Sequence, residues 1–239
     1  MNVLQQVQQA LVEVGLPKPP TLTGGDQTAI QCLGLFNALG QELYEQYRWK
    51  ELQGTHTFNT VEDQVGYDLP ADWAGPIDQT EWDQTNHWPL LGQKTPQEWQ
   101  WLNSGIVSSG PRLRYRYNAD QIELFPTPTT SGGVFTPYTI SLFYYRNGWV
   151  IKADDSTTDI ATVDTDRTFF NSRMMINGVK LKLFQIKGFD TKTLQADYER
   201  SFNNAMSRNQ GAPRLTLSPR PANIYIGPWN IPDGSWPVA

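Results

Sequence analysis

The chain has 239 residues, 38% hydrophobic and 12% aromatic, enough apolar material for one large domain or two small ones with a real core. Its formal net charge of −5 is unevenly spread, with −7 over residues 50–160 and +4 over 173–208, a dipolar layout that suits head-to-tail protein contacts better than tight nucleic-acid binding. The single cysteine, Cys32, excludes an internal disulfide framework and a multi-cysteine zinc site, and no apolar run approaches the roughly 18–20 residues of a membrane span.

The opening MNVLQQVQQALVEVG lacks the basic start and apolar heart of a signal peptide, so the expectation is a soluble protein that stays in the cytoplasm where it is made, with no membrane partner. Val3, Leu4, Val7, Leu11 and Val14 mark one face of a first helix near residues 2–14, which Gly15 ends. A proline-led connector, Leu16 to Gly25, leads to Asp26, the expected N-cap of a second helix of about twenty residues. Its expected seam is Leu33, Phe36, Gly40, Leu43 and Tyr47, with Cys32 as a plain core residue.

From residue 50 the period becomes that of strands. Thr55-His-Thr-Phe-Asn-Thr, Arg112-Leu-Arg-Tyr-Arg-Tyr, Gln121-Ile-Glu-Leu-Phe and Thr139-Ile-Ser-Leu-Phe-Tyr-Tyr read as strands, and Asn118-Ala-Asp-Gln as a hairpin connection. The stretch Tyr67 to Leu102 holds five of the nine tryptophans, and its prolines forbid a long helix. A short helix opens at Thr95-Pro96, where Glu98 completes a capping box. Near Phe169 helical signals return. The run Val179 to Lys187 fits strand or helix; its length and few β-branched residues favour a helix with Ile176, Val179, Leu183 and Ile186 on its buried face. Gly188 stops it, Asp190 or Thr191 caps the next, and Leu194, Tyr198, Phe202 and Ala205 mark the last buried stripe.

The expected fold class is therefore α+β: a helical bundle formed from N- and C-terminal helices, an inserted antiparallel β module, and an extended C-terminal arm. The expected divisions are 1–49 and 169–210 for the bundle helices, 50–168 for the β-rich module and 211–239 for the arm. The arm has six prolines and no helical period, yet carries Ile224, Tyr225, Ile226, Trp229 and Trp236, the expected partner anchors. Fully extended it reaches roughly 90 Å, and Asn223-Ile-Tyr-Ile-Gly is a candidate added strand.

Chemistry is weakly signalled. Glu81 and Asp83 share one strand face in an expected water-facing row, and Glu62 and Asp63 fall in a turn, so neither pair flanks a cleft and no catalytic residue is assigned. The tryptophans invite a sugar-binding reading, although packing is their commoner use. His56 and His87 are the only histidines and read as structural or exposed, so neither the usual two-histidine zinc catalysis nor a charge-relay set with a named serine is expected, and no metal ligand or cofactor is assigned. Asp154, Asp155, Asp159, Asp164 and Asp166 lack the glycine and glutamate of an EF-hand loop and read as a solvated acidic loop. Gly24-Gly25-Asp26 lacks a P-loop ending and reads as connector plus cap. Arg112, Arg114 and Arg116 are the one nucleic-acid-like feature; they contact DNA, or they pair with Asp120, Glu123 or acids of a neighbouring subunit.

Several of these stretches together resemble the head-to-tail adaptor (connector) proteins of short-tailed bacteriophages, the tail tubular protein A type. The likeness is carried by Gly15-Leu-Pro-Lys-Pro-Pro-Thr-Leu-Thr-Gly-Gly-Asp before the second helix with its Arg48-Trp49 ending, and by Tyr67-Asp-Leu-Pro-Ala-Asp-Trp. It continues through Trp82-Asp-Gln-Thr-Asn, Leu91-Gly and Gln97-Glu-Trp to Lys187-Gly-Phe-Asp and Tyr198-Glu-Arg, spanning about residues 10–210. The resemblance implies a non-enzymatic virion protein at the head-tail junction, a homo-oligomeric ring of twelve copies that joins the portal protein to the tail nozzle protein. It also implies a channel for genomic DNA without sequence-specific binding, and an arm that engages the portal. The rival reading is a glycan-binding or lytic tail component.

Overall fold

The computed structural model describes residues 1–24, 26–105, 112–130 and 135–210. These fall into two compact units, one of residues 1–53 and 146–210, the other Gly54–Tyr145. The class is mixed α+β. The helices are α1 (Val3–Glu13), α2 (Gln27–Gln46), α3 (Pro96–Asn103), α4 (Ser172–Lys187) and α5 (Lys192–Gln210).

The second unit is built from strands β1 (Gln53–Asn59), β2 (Gly66–Asp68), β3 (Trp73–Pro76), β4 (Trp82–Asp83), β5 (Trp88–Pro89), β6 (Leu91–Gln93), β7 (Arg114–Asn118), β8 (Gln121–Phe125) and β9 (Thr139–Arg146). One sheet runs β1-β9-β4-β5 with β3 also on β9; the other runs β2-β8-β7-β6. The expected hairpin at 118–121 is present: Ala119 takes a positive φ of 49°, and Asn118 pairs with Gln121 across the turn. The module is not wholly antiparallel, because β6 pairs parallel with β7. Leu91 and Gln93 reach β7 across a register shift, a pairing of non-consecutive segments that alternation along one strand does not reveal. Alternate residues of the two sheets, among them Tyr67, Leu113, Tyr115, Ile122, Leu124, Ile140, Leu142 and Tyr144, form one apolar cluster. Helix α3 starts as its sequence demands, with Thr95 and Glu98 exchanging a capping box and Pro96 in the first turn.

In the first unit α4 packs against α1, α2 and α5. Its core includes Val3, Val7, Leu11, Cys32, Phe36, Leu43, Trp49, Trp149, Phe170, Met174 and Met175. Each large side chain among them contributes about 1.5–3 kcal/mol by leaving water. The buried stripe of α2 is Ala29, Cys32, Phe36, Leu39, Gly40 and Leu43. Leu33 and Tyr47, expected in that seam, are only half-buried, because the packed face is rotated toward Cys32 and Leu39. The ambiguous run is helical, as expected, but Ile186 is 57% exposed. By that last turn α4 is ending at Gly188 (φ 71°), and its buried positions stop at Leu183.

A small three-stranded sheet of β10 (Val150–Ile151), β11 (Thr157–Thr158) and β12 (Arg167–Thr168) belongs to this unit. Beside it the aspartate-rich segment is solvated at Asp154, Asp155 and Asp159, as composition predicts, but Asp164 and Asp166 turn inward and make its second half a structural hub. Asp166 is buried and accepts from the backbone of Thr162 and Val163, while the first helical turn of α1 donates Val3 N to the Asp166 carbonyl at 2.7 Å. Asp164 accepts from Thr21 Oγ1 at 2.5 Å and Leu22 N at 2.9 Å, pinning the proline-led connector. Asn37 of α2 bonds both backbone groups of Ala161. Asp164→Ala is expected to remove two partly buried hydrogen bonds to a carboxylate, costing about 2–3 kcal/mol. Faster proteolytic cutting within residues 16–24 is the readout.

Candidate interaction surfaces

Of the three arginines, Arg116 has a fixed partner by strand register. It sits directly opposite Glu123 on β8, and its Nε donates to Glu123 Oε2 at 2.6 Å. Burial pushes the Glu123 carboxyl up, but hydrogen bonds from Arg116 and Asn118 outweigh it and hold the pKa below the usual carboxylate range. The Arg116 guanidinium also lies 4.7 Å from the centre of the buried Trp99 ring. Arg112 precedes the strand, contrary to the expected alternation from 112, and is buried with its guanidinium 5.9 Å from the Trp88 ring. Arg114 is half-buried and faces Phe125 across the hairpin. Arg112 and Arg116 are thus cations set against tryptophan rings, and Arg116 pairs with the expected Glu123.

Of the two acid pairs weighed for catalysis, Glu81 and Asp83 face inward and not toward water as expected, whereas Glu62 and Asp63 are exposed in their turn. Glu81 is 2% exposed; its Oε1 accepts from Tyr117 Oη at 2.6 Å and its Oε2 from Thr80 N at 3.1 Å. Burial first, and then hydrogen bonding to Glu81, pushes both Tyr115 and Tyr117 hydroxyls well above the ordinary tyrosine range. Asp83 is also buried and closes the β4–β5 turn by accepting from Thr85 N, Asn86 N and Asn86 Nδ2. Composition could not reveal this, because the acceptors' donors are tyrosines and turn amides supplied by the folded chain. An open cavity of about 410 Å³ lies beside Glu81, lined by Asp78, Trp82, Leu90, Gln93 and Tyr115 among others.

The other tryptophans are placed by packing. Trp73 stacks on Tyr144 at 5.3 Å and leans on Tyr117 at 5.2 Å, whereas Trp101 is 58% exposed on α3. His87 is exposed with a positive φ of 60°. His56 is half-buried beside Phe58, with its Nε2 buried and unbonded. Burial lowers its pKa below 6.5, an effect that Asp68 and Asp72 only partly offset. The unfolded state then binds the proton more readily, so the β unit is expected to keep this contribution above pH 6.5 and lose it as pH falls through the lowered value. An NMR titration of the His56 ring, expected to give a midpoint below that of a free histidine, checks the sign.

Among the described residues no three side chains of metal-ligating type gather, and no helix is long and apolar enough to cross a membrane. The expected anchors Ile224, Tyr225, Ile226, Trp229 and Trp236 lie outside the described residues.

Two surfaces escaped the sequence reading. Val61 and Val65 (52% and 40% exposed) flank Glu62 and Asp63, and Ile186 and Phe189 (57% and 60% exposed) flank Lys187. The available signal was apolar residues at turns that need none.

Residues 1–225 match the family model described as SU10 adaptor protein. No curated protein matches the chain.

Proposed function

The chain belongs to the SU10 adaptor protein family, and from that premise we propose that it is the head-to-tail adaptor of a short-tailed phage virion. Family membership makes it a phage adaptor and so a virion component with a structural role, made to contact other head and tail proteins. In our reading it forms a ring of twelve copies that joins the portal protein to the tail nozzle and leaves a channel for DNA during ejection. The single observation that carries this is a family match spanning nearly the whole chain. Packing of α1, α2 and α5 on α4 supports a helical bundle as the ring wall, and the aromatic content of the arm at 211–239 is the ground for taking it as the portal-engaging segment, with Ile224, Tyr225, Ile226, Trp229 and Trp236 as anchors. Arg112, Arg114 and Arg116 serve a structural or subunit contact in this reading, because Glu123 and the tryptophans already hold two of them.

The test mixes the purified chain, or the chain cut after Asn209, with its cognate portal and follows size by light scattering and particles by electron microscopy. Rings on the portal from the full chain alone support both the adaptor and the arm. Absence of any contact from either chain overturns the reading. A glycan-binding or lytic tail component is the second reading, and its support is the open cavity lined by Trp82 and Glu81. It predicts that an oligosaccharide quenches tryptophan fluorescence and that Trp82→Ala removes the quenching.

A further inference from the structure

The loop 61–65 is held from beneath. The buried Tyr67 hydroxyl accepts from Val61 N at 3.0 Å and reaches the Gln64 carbonyl at 3.0 Å. Asp63, at a positive φ of 58°, donates its N–H to the Pro128 carbonyl at 2.8 Å, and Glu62 accepts from Thr130 Oγ1. With the backbone pinned inward, Val61, Glu62, Asp63 and Val65 are all presented to solvent. A loop fixed in one conformation, two valines bracketing two acids, loses little entropy on docking.

The α4–α5 turn has the complementary character. Gly188 and Phe189 donate back to the end of α4, Phe189 N to the Phe184 carbonyl at 3.1 Å, which fixes the turn. Phe184 and Phe189 meet edge to face at 5.4 Å, the usual apolar contact of such a helix end. That local role does not require Phe189 to stay 60% exposed beside Ile186 at 57%, with the exposed Lys187 between them and the exposed Lys192 three residues beyond Phe189. The charge balance points the same way, since residues 54–145 carry ten acids and four bases while 173–208 carry seven bases and three acids.

We propose that the α4–α5 turn of one copy docks on the 61–65 loop of a second copy, Ile186 and Phe189 meeting Val61 and Val65 while Lys187 and Lys192 meet Glu62 and Asp63. Two different patches on one chain make a heterologous contact, the kind that closes into a ring when the rotation allows. This rests on the ring reading above and names the surfaces that build it. The apolar pair on each side supplies the desolvated centre, and the charges orient the approach and set its salt dependence.

The test uses the full chain with its cognate portal and three variants at exposed positions. Lys187→Glu with Lys192→Glu, and Glu62→Lys with Asp63→Lys, are each expected to raise the concentration for half-maximal ring formation at least about tenfold. All four substitutions in one chain are expected to bring it back toward the wild-type value. Independently, Phe189→Cys chains mixed with Val65→Cys chains are expected to form a covalent dimer under mild oxidation that neither forms alone, since Cys32 is fully buried. Wild-type thermal stability in each variant confirms that folding is intact. If the wild type forms rings but the reversed variants do so equally, or the fourfold variant fails to recover, these surfaces are the wrong ones and the adaptor reading stands. If the wild type forms no ring with or without portal, both fall together.

Discussion

Gly40→Ala is expected to destabilise the helical unit by about 2–3 kcal/mol, although alanine is the better helix former by about 1 kcal/mol. A Cβ at Gly40 would lie 2.1 Å from Cζ2 of Trp149 and 2.2 Å from Cη2. The indole has nowhere to retreat, since it is fully buried, stacked on Phe170 at 5.8 Å and tilted against Phe36 at 5.8 Å. Gly34, on the same helix with open space around it, supplies the control. Gly34→Ala is expected to stabilise by up to about 1 kcal/mol. Urea unfolding followed by tryptophan fluorescence and circular dichroism should shift in opposite directions for the two variants. A stabilising Gly40→Ala would mean that Trp149 does not pack where it is placed.

Glu13→Gln is expected to cost about 3–5 kcal/mol, because it strands a buried lysine. Glu13 Oε2 accepts from Lys180 Nζ at 2.6 Å, and Oε1 accepts from Arg173 at 2.5 Å and Gln9 at 3.0 Å. The Lys180 side chain is 7% exposed. Burial alone would raise the Glu13 pKa, but hydrogen bonds from Lys180, Gln9 and Arg173 outweigh it and hold it at about 2. A folded value below the unfolded one means stability that is complete above about pH 4.5 and lost as pH falls toward about 2. Solvent screening at Glu13, which is itself exposed, keeps the span to about 1 kcal/mol. Acid titration of the wild type, followed by circular dichroism, should show helix loss in that window, and Glu13→Gln should flatten it while lowering stability at neutral pH.

The elements with local causes were legible. Asp26 caps α2 through Thr28 N, Thr95 and Glu98 cap α3, and Gly188 ends α4, since each of these needs only neighbours in the chain. Cys32 belongs to the core as expected, because the apolar period of α2 already marked a buried stripe, even though the stripe is rotated from the expected one. The candidate site was less legible. Register alone made Glu123 the partner of Arg116, whereas the same alternation wrongly put Glu81 and Asp83 in water. An acid's exposure depends on whether distant donors reach it, and Tyr117 is 36 residues away from Glu81.

By itself the sequence determined the helices and their caps, the strand-rich middle, the mixed class and the family, because local periodicity and stop signals act over a few residues. Tertiary structure alone decided that β6 runs parallel to β7, that the aspartates at 164 and 166 staple α1 and the connector, and that Glu13 neutralises Lys180. It also decided which apolar residues remain exposed at 61–65 and at the α4–α5 turn. Those outcomes depend on which groups meet across the folded chain, from a separation of 23 residues for Leu91 and Arg114 to 167 for Glu13 and Lys180. Hydrophobic pattern specifies that a side chain is buried, but only the assembled core specifies against what.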